Sequence, residues 1–334
     1  MKDEHKFGKR LEQRGLSRRQ FLKYCGAVTA AIGLGPGFGP KLYEAFAEGP
    51  RPRVLWLHFA ECTGCTEAVL RTTSPSFEQL IFDTISLDYH ETLMMAAGQA
   101  VEDILVQTAN DYQGEFFCVV EGAIPTADNG IYGMIGGRTM LSIAREILPK
   151  SKAVISLGNC ASYGGLPAAF PNPTGAMGVE NALETGLGKP VINLPGCPPN
   201  PVNFVGTIAN YLLSGNLPGL DADGRPVFAY GRRVHEQCPF RSDSNEHRCL
   251  EDYGCKGKRC YNNCPTEKFN DGTSWPVLAG HPCIGCSEPD FWDAMTPFYR
   301  ESEEEEEYGG SDEYSGDSGS SDSYSYAGEE EYDD

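Results

Sequence analysis

The chain has 334 residues, 13 of them cysteine, and a formal net charge of −20. That length accommodates one to two domains with real cores, and a cysteine share of about 4% is too low for a disulfide scaffold yet more than packing requires. The charge is uneven: residues 1–47 carry 9 Lys/Arg against 4 Asp/Glu, and residues 301–334 carry 15 acids and no base. An acidic body with an acidic tail argues against nucleic acid as a partner, since phosphate binding needs a basic patch. After residue 50 no stretch approaches the roughly 18 consecutive apolar residues of a membrane-spanning helix.

The N-terminus is laid out as an export leader. A basic stretch runs to Lys23, a weakly apolar segment broken by Gly and Pro covers 24–46, and Ala45-Phe46-Ala47 supplies a cleavage site that would leave Glu48 first. Within it, Ser17-Arg18-Arg19-Gln20-Phe21-Leu22-Lys23 resembles the twin-arginine signal, an address for a route that carries folded proteins. The bland alternative is a basic amphipathic helix followed by a linker. Folded export lets a metal be installed in the reducing cytoplasm before the thiols meet an oxidising compartment. Leader and cysteines together therefore point to a cofactor and a periplasmic destination.

Residues 48–225 alternate short apolar runs with longer segments that can be helical. The runs at 54–59, 84–87, 116–120, 154–157 and 191–194 predict a parallel sheet covered by helices. Four of them end in a loop bearing a special residue: Cys62 and Cys65, then Glu121, Cys160 and Cys197. Ligands in such sheets bind at the carboxyl ends of strands, so these residues can converge. Residues 226–300 differ: few apolar runs, many Gly and Pro, and seven Cys in the 49 residues from Cys238 to Cys286, which suits stapling by metal. Residues 301–334 contain Glu, Asp, Ser, Gly and Tyr with hardly an aliphatic residue, and read as a disordered acidic tail, solvating or tethering a basic partner.

Cys62-Thr63-Gly64-Cys65 can bite a metal twice, as can a redox disulfide; with Cys160 and Cys197 it makes four thiols for an iron–sulfur cluster or zinc. His235-x-x-Cys238 opens a second set with Cys249 and Cys255, in which an imidazole makes the site less negative. Cys264, Cys283 and Cys286 form a third, three thiols without an obvious fourth, which suits an incomplete cubane. Cys118 reads as a buried strand residue, His58, His90 and His247 as packing or surface residues, and His281 as a neighbour of the third set.

These residues resemble the small, electron-transferring subunit of [NiFe] hydrogenases. The likeness runs through Glu61-Cys62-Thr63-Gly64-Cys65, Glu121-Gly122-Ala123-Ile124-Pro125, Gly158-Asn159-Cys160-Ala161-Ser162-Tyr163-Gly164-Gly165, Pro195-Gly196-Cys197-Pro198-Pro199-Asn200, Ala279-Gly280-His281-Pro282-Cys283-Ile284-Gly285-Cys286 and Phe291-Trp292, over about residues 15–300. It implies an α/β fold with a flavodoxin-like domain followed by a loop-rich, cluster-stapled C-terminal domain. It implies a proximal [4Fe-4S] cluster on Cys62, Cys65, Cys160 and Cys197, a medial [3Fe-4S] cluster on Cys264, Cys283 and Cys286, and a distal [4Fe-4S] cluster on His235, Cys238, Cys249 and Cys255. Pro276 stands where a fourth cysteine would complete the medial cubane, and Cys260 is the thiol that could replace Cys255 or Cys264. The NiFe centre belongs to a large-subunit partner, this chain holds no catalytic residue of its own, and the electrons leave to an external acceptor such as a c-type cytochrome. Glu61, Glu67 and Glu121 near the proximal loops serve the subunit interface, a proton path or only the structure. Gly64 and Gly165, where oxygen-tolerant relatives place extra cysteines, imply the oxygen-sensitive type. Alternatives are the cluster subunit of respiratory complex I, which has adjacent paired cysteines, and a zinc- or disulfide-stapled secreted binding protein.

Overall fold

Five apolar runs build the central sheet. In the computed structural model, which describes residues 9, 11–12, 17–48, 51–72, 76–77, 80–183, 186–241, 249–270, 272–289 and 291–295, they are β1 (Arg53–His58), β2 (Ser86–His90), β3 (Phe116–Glu121), β4 (Ala153–Leu157) and β5 (Val191–Leu194). All pair in parallel, in the order β2-β1-β3-β4-β5, the flavodoxin-like order that the sequence implied. Every residue of β3 and β4 is buried, as expected of a parallel sheet covered on both faces. Alternate residues serve opposite faces. Trp56, Phe117, Val119 and Ile155 join one core with Phe204 and Ile208, while Leu57, Cys118, Val120 and Val154 join the other with Leu105 and Ile147. The sequence placed the second strand at 84–87, and the structure starts it at Ser86. This edge strand, Ser-Leu-Asp-Tyr-His, pairs only with β1 and is half-buried over its first three residues, so its apolar signal is weak and its limits are shifted.

The α-helices of five or more residues are α1 (Arg18–Ala31), α2 (Gly39–Glu48), α3 (Gly64–Leu70), α4 (Gln99–Asp111), α5 (Met140–Ile147), α6 (Asn159–Tyr163) and α7 (Pro201–Ser214). The limits of α7 are written in its sequence: Asn200 Oδ1 accepts from Val202 N at 3.0 Å, Pro201 occupies the first turn, and Gly215 at φ +71° ends it. The segment read as a weakly apolar run at 24–46 folds into α1 and α2. A capping box of Ser17 and Gln20 starts α1, and Phe21, Cys25, Leu42 and Tyr43 are buried in the same core as Phe204 and Val205 of α7. Among the described residues no helix is long and apolar enough to cross a membrane.

Beyond residue 226 come the short α8 (Val227–Tyr230), α9 (Val234–Gln237) and α10 (Cys264–Glu267), around a small cluster of Val234, Cys260, Trp275 and Val277. A largely polar seam joins this part to the sheet. Tyr230 OH donates to Pro195 O at 2.8 Å, and the Asn203 and Asn263 amides exchange hydrogen bonds at 3.2 and 2.8 Å.

Candidate functional site

Strand order reverses at β1, which has β2 on one side and β3 on the other, so a crevice opens at the carboxyl ends of the strands. Cys62 and Cys65 follow β1, Cys160 sits on α6 after β4, and Cys197 follows β5. The structure gathers these four thiols, each within electrostatic range of its fellows. Burial first, then the neighbouring charges, pushes the Cys65 thiol well up and Cys160 up to about 12, so a metal would have to displace protons to bind. Glycine backbone makes the room. A Cβ on Gly158, at φ +96°, would strike Cys65 Sγ, and one on Gly165, at φ +51°, would lie 2.7 Å from Cys160 Sγ.

Glu121 ends β3 with 1% of its surface exposed. Its carboxylate accepts from Cys65 N at 3.0 Å, from Thr66 N at 3.1 Å and from Thr66 Oγ1 at 2.5 Å, taking up N–H groups that the first turn of α3 leaves unpaired. Since the Thr66 hydroxyl gives its proton to Glu121, His58 Nε2, 3.1 Å away, is the donor to Thr66 Oγ1. The His58 ring meets His90 edge to face at 4.6 Å between centroids; both are buried, which settles on packing where the sequence also allowed the surface. Burial lowers His58 against the pull of Glu121, and burial with the charge of His58 takes His90 down to about 3. Glu61, half-buried, is pushed up to about 7 by burial and then by Glu121; Glu67 is exposed.

The second set converges too. Cys238 feels Cys255 and Cys249, and a Cβ on Gly257 would lie 3.5 Å from both Cys255 Sγ and His235 N. His247 lies outside the described residues. Cys264, Cys283 and Cys286 line a cavity of about 760 Å³ together with Pro276 and Trp275. The Trp275 Nε1–H is buried and has no hydrogen-bond partner among the described residues, an arrangement that costs about 1–3 kcal/mol unless an acceptor such as a cluster sulfide is supplied. Cys260 is also here, 2% exposed. His281 is exposed, its Nδ1 2.8 Å from Pro282 O. All 13 cysteines are free thiols, so no disulfide staples the fold. Three sets of soft sulfur donors, loops with glycine where a side chain would collide, and an unpaired buried N–H all fit iron–sulfur clusters.

Comparison with known proteins agrees. Residues 62–211 match the family "NADH ubiquinone oxidoreductase, 20 Kd subunit", and residues 230–299 match the family of C-terminal regions of the NiFe/NiFeSe hydrogenase small subunit. The periplasmic [NiFe] hydrogenase small subunit 1 of Nitratidesulfovibrio vulgaris is 54% identical over 87% of this chain and 95% of its own length. The periplasmic small subunit of Solidesulfovibrio fructosivorans is 51% identical over 88% and 96%. The chain belongs to the [NiFe] hydrogenase small subunits. The solved [NiFeSe] hydrogenase of Desulfomicrobium baculatum superimposes with a TM-score of 0.70 at 36% identity, over 75% of this chain and 99% of the other. This hydrogenase subunit is accordingly the electron-relay half of an enzyme, pairs with a large subunit and carries iron–sulfur clusters. The sheet domain alone is shared with the complex I subunit; the C-terminal part separates the two.

Two contacts in the small subunit escaped sequence reasoning. Asn159, next to Cys160, donates from Nδ2 to Cys286 O at 3.1 Å and Glu288 O at 2.9 Å, bridging the loops of two thiol sets. Arg225, its side chain 4% exposed, pairs with Asp221 at 2.8 Å, Asp223 at 2.8 Å and Glu288 at 3.0 Å, clamping the turn before α8 to the segment after Cys286. The only sequence signal was an arginine flanked by two aspartates, a pattern that usually marks a solvated turn.

Proposed function

We propose that this subunit holds three clusters: a proximal [4Fe-4S] on Cys62, Cys65, Cys160 and Cys197, a medial [3Fe-4S] on Cys264, Cys283 and Cys286, and a distal [4Fe-4S] on His235, Cys238, Cys249 and Cys255. The observation that carries this reading is the mutual electrostatic coupling of Cys62, Cys65, Cys160 and Cys197 at the strand ends, with Cys264, Cys283 and Cys286 lining one cavity and Cys286 coupled to Cys197. Bound clusters supply one-electron sites, by which electrons from hydrogen oxidation at the partner's NiFe centre reach an external acceptor such as a c-type cytochrome.

The chain's own residues set the geometry. Glu121 fixes the backbone of Cys65 and Thr66, Asn159 ties the proximal loop to the medial one, and Pro276, having no thiol, leaves the medial set at three. The apolar cluster around Trp275 buries Cys238 and Cys260, whereas Cys62 and Cys197 are exposed in this chain. Residues 1–47 act as a twin-arginine leader for a periplasmic, heterodimeric enzyme. Its removal would uncover Phe204 and Val205 on α7, which α1 and α2 cover in this chain. Domain limits follow: sheet domain 48–225, cluster-bearing segment 226–300, acidic tail 301–334.

Low-temperature electron paramagnetic resonance of the purified heterodimer, with iron and nickel measured on the same sample, tests the reading. A near-isotropic oxidised [3Fe-4S] signal with about 12 irons and one nickel per heterodimer is expected, about 11 of the irons in the three clusters and one in the NiFe centre. Zinc in place of iron, or a fourth medial iron, would refute the ligand sets.

A further inference from the structure

Seven consecutive residues of α7, Asn203 to Ala209, are buried. At about 3.6 residues per turn such a run goes roughly twice round the helix, so α7 is covered there on every side. The sheet supplies one cover through Trp56 and Ile155. The other is the hairpin of α1 and α2, whose Phe21, Val28 and Leu42 share a core with Phe204, Val205 and Ile208. The fit is close at two glycines. A Cβ on Gly206 of α7 would lie 2.8 Å from Ile32 Cγ2 at the end of α1 and 3.1 Å from the Phe228 ring, and one on Gly39, where α2 starts, would lie 2.8 Å from Gly26 N in α1. A glycine inside a helix costs about 1 kcal/mol against alanine, so α7 gives up helix stability at the point where the hairpin approaches it.

As a cleaved leader, residues 1–47 leave the mature subunit, and the outer side of α7 is then bare apolar surface that needs a new cover. Its position says what that cover is. Ala27 and Val28 of α1 line one cavity with Gly64 and Ala68 of α3 and with Cys197. The hairpin therefore lies beside the loops of the first thiol set, where Cys62 and Cys197 are exposed. Electron transfer falls off steeply with distance, so the large subunit has to bring its NiFe centre up to these same loops.

We propose that the leader hairpin and the large subunit occupy the same face of α7 in turn, so that pairing lifts α1 and α2 off and leaves the large subunit as the cover of Phe204, Val205 and Ile208. The inference rests on residues 1–47 being a leader and on the first thiol set being the one that faces the partner. While docked, the hairpin shields an apolar face from self-association. It also withholds the export address, because Phe21 of the segment Ser17–Lys23 is 0% exposed against the core. Pairing frees that segment, which holds back export of an unpaired small subunit.

The test is hydrogen exchange, read by mass spectrometry, on the full chain alone and on the heterodimer with the leader uncleaved. Amides of α1 and α2 should exchange about tenfold or more faster in the heterodimer than in the free chain, while α7 stays protected in both. In a chain that starts at Glu48, α7 should exchange faster until the large subunit is added. Leu42→Glu puts a charge on the hairpin's side of the contact, leaves 48–300 unaltered, and should speed pairing with the large subunit severalfold. Equal protection of α1 and α2 in both states, or a pairing rate indifferent to Leu42→Glu, overturns the proposal. The readings beneath it fail separately: a purified mature subunit that still carries residues 1–47 refutes the leader, and no gain of protection at 61–68 on pairing refutes the first thiol set as the one that faces the partner.

Discussion

The sheet domain and the segment after residue 226 are held together by different forces. In the first, two apolar layers of large side chains sandwich five strands, with Trp56, Phe117 and Phe204 on one face and Leu57, Leu105 and Ile147 on the other. The second has short helices, a handful of buried apolar residues around Val234 and Trp275, and polar clamps at Arg225, Asn159 and Asn203. Hydrophobic burial at about 25 cal/mol per Å² can fold the first part alone, whereas the second must draw on metal and on its neighbour. The difference teaches where cofactor and fold depend on each other. The loops of Cys62, Cys65, Cys160 and Cys197 are mounted on a sheet with its own apolar core, and the cysteine loops after residue 226 have little core of their own.

Iron removal should break the symmetry most visibly. On chelation of the heterodimer's clusters, amides of β1, β3 and β4 should stay protected from hydrogen exchange while those of 227–289 lose protection, because metal binding that doubles as folding free energy is worth on the order of 10 kcal/mol at structural zinc sites. Simultaneous loss of protection in both parts would end the distinction. Next in size is the clamp. Arg225→Leu strands Glu288 and Asp221 without their buried partner and should destabilise the segment by about 3–5 kcal/mol, read as a lower thermal midpoint and faster exchange at 283–289. Joint replacement of Arg225 and Glu288 by leucine should cost less than Arg225→Leu alone, since the most buried of the partner carboxylates is then removed with it.

The smallest effect falls on the sheet side. His90 is held neutral, with its pKa lowered from 6.5 to about 3, so the unfolded chain binds a proton that the folded one refuses. Stability from this source is complete above about pH 6.5 and is lost as the pH falls towards 3, by about 2 kcal/mol at pH 5. Thermal midpoints measured from pH 7 to 5 should fall in the wild type and fall less in His90→Gln, with β1 and β2 losing exchange protection first. An acid profile unchanged by the substitution would assign the loss to other groups.

Much of this was legible in the chain. Four of the five strands were placed to within a residue because a parallel sheet buried on both faces needs unbroken apolar runs, and β2 was placed two residues early because an edge strand with one neighbour tolerates Ser, Asp and His. The cysteine sets showed in their spacing and flanking glycines. The packing of α1 and α2 on α7 was hidden because Gly33, Gly35 and Pro36 dilute the apolar signal that Phe21, Leu42 and Tyr43 carry.

The sequence by itself determined the family, the sheet and the candidate ligands, because each rests on residue types that little else can replace: unbroken apolar runs for a covered parallel sheet, thiols for iron, glycine where a side chain would collide. Only the tertiary structure decided what surrounds those ligands. Glu121 reaches the first turn of α3 from the end of another strand, Asn159 spans from one loop to the carbonyls of Cys286 and Glu288, and Arg225 pairs with Glu288 across 63 positions of chain. Each of these is a polar contact between residues far apart in sequence, and such a contact leaves no spacing or composition by which a linear reading could find it.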